Sequence, residues 1–341
     1  MSLVFSLPSL CALAQQEPPP GVADIAAMAG PDRTEKLVAG ARREGSLTLF
    51  TSAANEDINI VAAAFTSLYG VKVEVWRAGN EDIVQRAIVE NRSSRFDSDL
   101  FEMDAVGLET LRRENLLQPV TSPVLADLMP QAVKAGAWIG TRLNIITAAY
   151  NIDLVRAEEL PHAFEDLQDV KWKNKLGVEA NDSDWFSTIV NSRGEEAGLA
   201  MFRNIVAANG MSVRTSHSLM ANLVASGEIP LALTAFRYKV NQMRSAGSPI
   251  AALPLLPNVA RVNGIGLSPH APHPYAALLF FDFMLTQGQS LLAAREVFPT
   301  NEKVRRLPGG MELAFVDPAL VLDEGEKWRK LFNEIMLRQP R

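Results

Sequence analysis

Residues 44–75, EGSLTLFTSAANEDINIVAAAFTSLYGVKVEV, form the stretch whose pattern decides the fold. A turn at Gly45 leads into the short apolar run Leu47-Thr48-Leu49-Phe50, which reads as a strand. Thr51-Ser52-Ala53-Ala54-Asn55-Glu56-Asp57 then offers hydroxyls and several N-caps before Ile58, Val61, Ala62, Phe65 and Leu68 recur at helical spacing. Gly70 ends that helix, and Val71-Lys72-Val73-Glu74-Val75 alternates as a strand does. The junction carries neither G-x-G-x-x-G nor G-x-x-x-x-G-K-[ST], so nothing in it speaks for a dinucleotide or a nucleoside triphosphate. It offers a helix N-terminus at the carboxyl end of a strand, where open α/β sheets bind small ligands, with Thr51, Ser52 and Asn55 as donors. The same unit also serves as an ordinary α/β connection, because a fold does not fix a function.

Outward from this unit, strands and helices alternate. A first helix is expected near residues 34–44, residues 81–91 place Ile83, Val84, Ala87 and Ile88 on one helical face, and Ser98-Asp99-Leu100-Phe101 reads as a strand. Residues 107–114 form a further helix and 145–150 a further strand, an alternation that implies a mostly parallel sheet covered by helices. A strand ending at Val178 leads into Glu179-Ala180-Asn181-Asp182-Ser183-Asp184-Trp185-Phe186, a second ligand-facing loop before a helix. The opening pattern is thus repeated in a second lobe. Helices follow over 199–209, 217–226 and 238–246, with a strand over 231–235 between the last two. An apolar run at 250–256 precedes a Gly-rich crossing, Asn263-Gly264-Ile265-Gly266-Leu267, then an apolar helix over 272–285 and C-terminal helices over 312–338.

At 341 residues and 48% hydrophobic content the chain can build two domains with cores of their own. A net charge of −6 with scattered Lys and Arg leaves no basic stripe, which excludes nucleic acid as the expected partner. Residues 1–14 are uncharged and mostly apolar, end in Ala12-Leu13-Ala14, and read as the remainder of an export signal without its positive n-region. Cys11, the only cysteine, falls inside this segment, so a mature chain would form no disulfide. Leu10 fits a lipoprotein site poorly, so no lipid anchor is expected. Residues 15–32 read as a flexible, Pro- and Ala-rich leader, and no later apolar run reaches the roughly 18–20 residues that span a bilayer.

Six pieces in order, Leu47-Thr48-Leu49-Phe50 with its loop, Asp99-Leu100-Phe101, Leu116-Leu117-Gln118-Pro119, Lys171-Trp172-Lys173-Asn174, Ser226-Gly227-Glu228-Ile229 and Phe280 to Leu285, resemble an extracellular solute-binding protein of an ABC importer. The resemblance is greatest to the branch of the ferric-ion-binding proteins and covers about residues 45–305. It implies a type II periplasmic-binding-protein fold of two α/β lobes, each a mixed, mostly parallel sheet flanked by helices, with the ligand cleft between. Crossings near residues 142–144 and 262–266 would divide the chain into one lobe of 33–142 with 263–311 and another of 143–262 with 312–341. Closure on a ligand that touches both lobes is what a transporter can sense.

The iron chemistry of that branch carries over only in part. Its members place two adjacent tyrosines after the strand read here as 231–235, where this chain has Arg237 and Tyr238. A His in the first loop falls at Ala54 or Asn55, and a Glu after the Asp99-Leu100-Phe101 strand falls at Asp104. Bound iron would therefore rest on Tyr238 and Asp104 alone, and no metal is favoured. Arg237 stays charged and suits a carboxylate or phosphate, so the inference is an anionic or amino-bearing organic ligand. Asp182 and Asp184 lie in the loop that holds a synergistic anion in the branch. Here they would repel an anion, and are expected to hold an amine or a metal, or to cap the following helix. Trp185 either stacks on a ligand or packs in the core. Arg142, at the first crossing, either reaches the cleft or makes a hinge ion pair. His162, His217, His270 and His273 lack metal spacing and read as structural.

The expected protein is a periplasmic receptor of the Gram-negative type that delivers a small molecule to an ABC permease. It is expected to be monomeric, without cofactor, without chemistry of its own and without stable membrane insertion. Alternatives are Fe(III) with a synergistic anion as the ligand, or a ligand-sensing subunit of a signalling system. No H-e-x-x-H, G-x-S-x-G or Ser/His/Asp order supports an enzyme on the same scaffold.

Overall fold

The computed structural model describes residues 20–253, 255–304 and 311–337. The export-signal reading of residues 1–14, with Cys11, lies outside them. The opening unit forms as its pattern demands: β1 (Ser46–Thr51) pairs in parallel with β2 (Lys72–Arg77), Leu47 beside Val73 and Leu49 beside Val75. Between them the helix Asn55–Tyr69 buries Ile58, Val61, Ala62 and Phe65, and ends at Gly70, whose φ of 75° suits glycine. Leu68, in the same apolar series, is 49% exposed instead.

Nine strands carry the architecture. β3 (Leu100–Asp104) joins the other edge of β1, and β4 (Ile139–Asn151) is much longer than the run at 145–150 announced. β5 (Leu176–Glu179), β6 (Ser212–Arg214), β7 (Leu231–Phe236), β8 (Ile250–Leu253) and β9 (Asn258–Leu267) complete them. The order β2-β1-β3-β9-β4-β7-β5-β6 runs through one continuous mixed sheet. Each end is parallel, while β3 with β9, β9 with β4 and β4 with β7 are antiparallel. The long strands β4 and β9 pair with each other over Arg142, Leu143 and Asn144 against Asn263, Val262 and Arg261, at the two places where crossings were expected.

Two large apolar clusters lie on either side of this pair. One gathers Phe50, Phe65, Leu100, Leu108, Phe280 and Met284; the other gathers Phe164, Trp185, Phe186, Phe202, Trp328 and Phe332. The molecule is therefore a two-lobed α/β protein. Along β4 the side chains pass from the first cluster at Ile145 to the second at Ile146, and along β9 from the second at Val259 to the first at Val262.

Two expectations change. The leader is not free throughout, since the helix Val22–Ala26 buries Ile25 and Ala26 in the first cluster and the Ala26 carbonyl accepts from Thr121 N–H at 2.9 Å. The C-terminal region begins with a short strand, Leu313–Phe315, which pairs with β9 before the helix Pro318–Phe332. Among the described residues no single helix is long and apolar enough to cross a membrane. The apolar helix Pro274–Leu285 owes its composition to the first core, where Ala276 to Phe281 are all buried.

Candidate functional site

The register of the central strands builds the floor between the lobes. Asp104 at the end of β3 lies beside Asn263 of β9, Asn263 beside Arg142 of β4, Asn144 beside Arg261, and Ile146 beside Phe236 at the end of β7. Strands stand about 4.8 Å apart, so residues from both lobes meet across only a few strand widths. Asn144 Nδ2 donates to Asn263 Oδ1 at 2.9 Å and fastens the two crossing strands together.

On the first lobe, Thr51 is not available to a ligand: it is fully buried, its hydroxyl donates to Glu102, and its oxygen accepts from Ala53 N–H at 3.0 Å. Glu102, itself fully buried, also takes Arg142, so Arg142 is engaged in a buried ion pair, while its charge also reaches Tyr238. Ser52 is half-buried and its amide donates to the Glu102 carbonyl at 3.0 Å. Asn55 is exposed at the start of its helix, where Ala54 is the N-cap and no side chain caps the free amides. Asp104 has a structural task, since Oδ1 accepts from Gly107 N–H at 2.8 Å as the N-cap of helix Ala105–Arg113, and Oδ2 takes Asn80. Burial raises its carboxyl above the usual Asp value. It also lines a cavity of about 710 Å³ shared with Gly79, Asn80 and Leu322.

On the second lobe, the acids of the loop after β5 are taken by a residue that the sequence did not single out. Arg261, from β9, donates through Nε to Asp184 Oδ2 at 2.7 Å and through Nη2 to Asp182 Oδ1 at 2.8 Å, with a further contact to Asp184 Oδ1. Burial alone lowers the Arg261 pKa, but the charges of Asp184 and Asp182 outweigh it and raise it. Burial likewise pushes Asp182 up, and Arg261 with His217 more than reverses this, holding the carboxyl below the usual value. His217 Nε2 lies 3.2 Å from Asp182 Oδ1, and its ring rests on Phe236 at 4.0 Å between centroids. These acids are thus internally paired, contrary to the expectation that they face a ligand, and Asp182 makes no side-chain cap. Trp185 is 2% exposed and packs between Phe164 and Phe202, so it belongs to the core.

Arg237 differs from every other arginine at this floor. It begins the helix Arg237–Ser245 directly after β7, and its Nε and Nη1 are buried without a hydrogen-bond partner. Burial alone lowers its pKa, with no acid opposing the shift. Tyr238, beside it, is half-buried and stacks on Phe236 at 5.8 Å; burial and the charge of Asp57 raise its phenol above the usual value.

Glu102 and Arg261 were the residues missed, whereas His217, read as structural, packs on Phe236 beside Asp182. Glu102 and Arg261 share one signal, a lone charge inside an apolar strand, in Leu100-Phe101-Glu102-Met103 and in Val259-Ala260-Arg261-Val262. Such a charge must find a partner when the strand is buried.

The two α/β lobes on one shared sheet leave the class of protein to be read from the family match. Residues 21–290 match the family described as bacterial extracellular solute-binding protein, and the chain belongs to that family. It is 25% identical over 265 residues to iron uptake protein A1 of Synechocystis, covering 72% of this chain and 73% of that one. In structure it is similar to iron-bound HitA from Pseudomonas aeruginosa, with a TM-score of 0.70 and 21% identity over 85% of this chain and 99% of the other. It is similar too to AfuA from Actinobacillus pleuropneumoniae with fructose-6-phosphate bound, with a TM-score of 0.69 and 18% identity over 86% and 99%.

Proposed function

We propose that this protein is the periplasmic receptor of an ABC importer and that it captures a small organic anion by closing two lobes, 33–142 with 263–311 and 143–262 with 312–341, around it. The observation that carries the ligand class is Arg237, a partly buried guanidinium with two buried donors left without a partner. A guanidinium is costly to bury unpaired, and a carboxylate or phosphate returns that cost through a forked pair of charge-assisted hydrogen bonds. The acids that would oppose an anion, Asp182 and Asp184, are neutralised by Arg261. Ser52 and Asn55, at the uncapped start of the helix Asn55–Tyr69, are the donors of the opposite lobe.

A second reading, Fe(III), has the relatives in its favour, because iron uptake protein A1 and iron-bound HitA are named for iron. AfuA, named with a sugar phosphate, has a similar fold, so the fold leaves both readings open. Tyr238 is the phenol available to a ferric ion beside Arg237, and Arg237 would then meet the ion's accompanying anion. Thermal-shift screening against phosphorylated, phosphonate, sulfonate and carboxylate solutes tests the first reading, since a tight ligand raises the melting temperature. Titration with Fe(III)-citrate tests the second: a tyrosinate-to-iron charge-transfer band that disappears in Tyr238→Phe overturns the organic-anion reading.

A further inference from the structure

We infer that Arg261 sets the charge selectivity of the cleft by occupying, as a built-in cation, the place that the second lobe's acids and His217 would otherwise offer to a metal ion. Glu179, Asp182 and His217 each present a ligand atom, and these atoms lie within 4.8 Å of one another. Carboxylate oxygens with an imidazole nitrogen make a donor set that suits divalent transition metals. Asp184 adds a further carboxylate on the far side of Arg261.

Glu179 and Asp182 are almost fully buried, so their charges need an internal answer. Glu179 receives hydrogen bonds from Asn181 and from Ser216 N–H, at 2.7 to 3.1 Å. Asp182 and Asp184 receive Arg261, whose Nη1 also stands 3.4 Å from His217 Nε2. One guanidinium therefore touches two of the three residues of the metal-like cluster. It keeps its charge at any pH the protein meets, so protonation cannot vacate the place. A metal ion among these donors would have to sit against that charge and take the carboxylates from it. Arg261 is still 22% exposed at its side chain, so the place is within reach of ions from the cleft. The inference holds whichever solute Arg237 receives.

Co(II) is the probe, because its visible absorption reports nitrogen and oxygen coordination. The full-length wild type is expected to show no saturable Co(II) band, whereas Arg261→Met gains one equivalent bound at least about 100-fold more tightly. Adding His217→Ala to Arg261→Met removes the band, and Arg261→Lys, which keeps a cation in place, stays without it. Equal Co(II) affinity in wild type and Arg261→Met, or a folded Arg261→Met that binds none, overturns the inference. If Arg261→Met is unstable alone, Co(II) is expected to raise its melting temperature by about 10 °C or more and the wild type's not at all. Absence of that rise in the variant also overturns it.

Discussion

Arg237 and Arg261 stand at the same junction of the two lobes, and the protein treats their charges in opposite ways. Arg261 is met by Asp182 and Asp184, while Arg237 has buried donors that meet no partner among the described residues. A charge with partners in its own chain holds structure together. A charge left without them loses hydration on folding and recovers it only when something else binds. The pair separates a cation that the fold itself answers from one that it leaves without a partner among the described residues.

Substitutions can break that contrast. The largest expected effect is Arg261→Met on stability: Asp182 and Asp184 lose the guanidinium that answers their charges, at a cost of about 3–5 kcal/mol in denaturant unfolding. Arg237→Met is expected to leave stability unchanged or slightly higher, but to weaken binding of the anion by about 2–5 kcal/mol in calorimetry. A stability loss at Arg237 equal to that at Arg261 would erase the distinction between them.

Acid sharpens the same contrast. Asp182 has its folded carboxyl below the usual value of 3.8, so the unfolded chain binds the proton more readily. The stability this contributes is present above the unfolded value and is lost as pH falls through the lower folded one. Melting temperature is therefore expected to drop as pH falls below the usual Asp value, and less steeply in Asp182→Asn. The smallest effect is reserved for an exposed pair, Arg113 with Asp323, which meet at 2.6 Å on the surface. Asp323→Ala is expected to leave the melting temperature unchanged, because solvent screens such pairs.

Much of the first lobe was legible because its signals are local. The β-α-β unit from Ser46 to Arg77 follows from alternation, helical spacing and Gly70, which needs no distant partner. The candidate site rests in sequence on Arg237 and Tyr238, through their position after β7. Thr51, Arg142, Asp182, Asp184 and Trp185 have ligand-like chemistry in sequence, yet each is claimed by a neighbour remote along the chain. Thr51 and Arg142 go to Glu102, the two aspartates to Arg261, and Trp185 to Phe164 and Phe202.

The sequence by itself determined the alternating elements and the capacity for two apolar cores, because periodicity, turn residues and burial act over a few residues at a time. Tertiary structure alone decided which charges are answered. Asp184 and Arg261 are 77 positions apart, and Glu102 and Arg142 are 40 apart. The strand order β3-β9-β4-β7-β5 brings such residues within hydrogen-bond range. Among the described residues, Arg237 keeps buried donors that this packing leaves without a partner, and the proposed ligand contact rests on it.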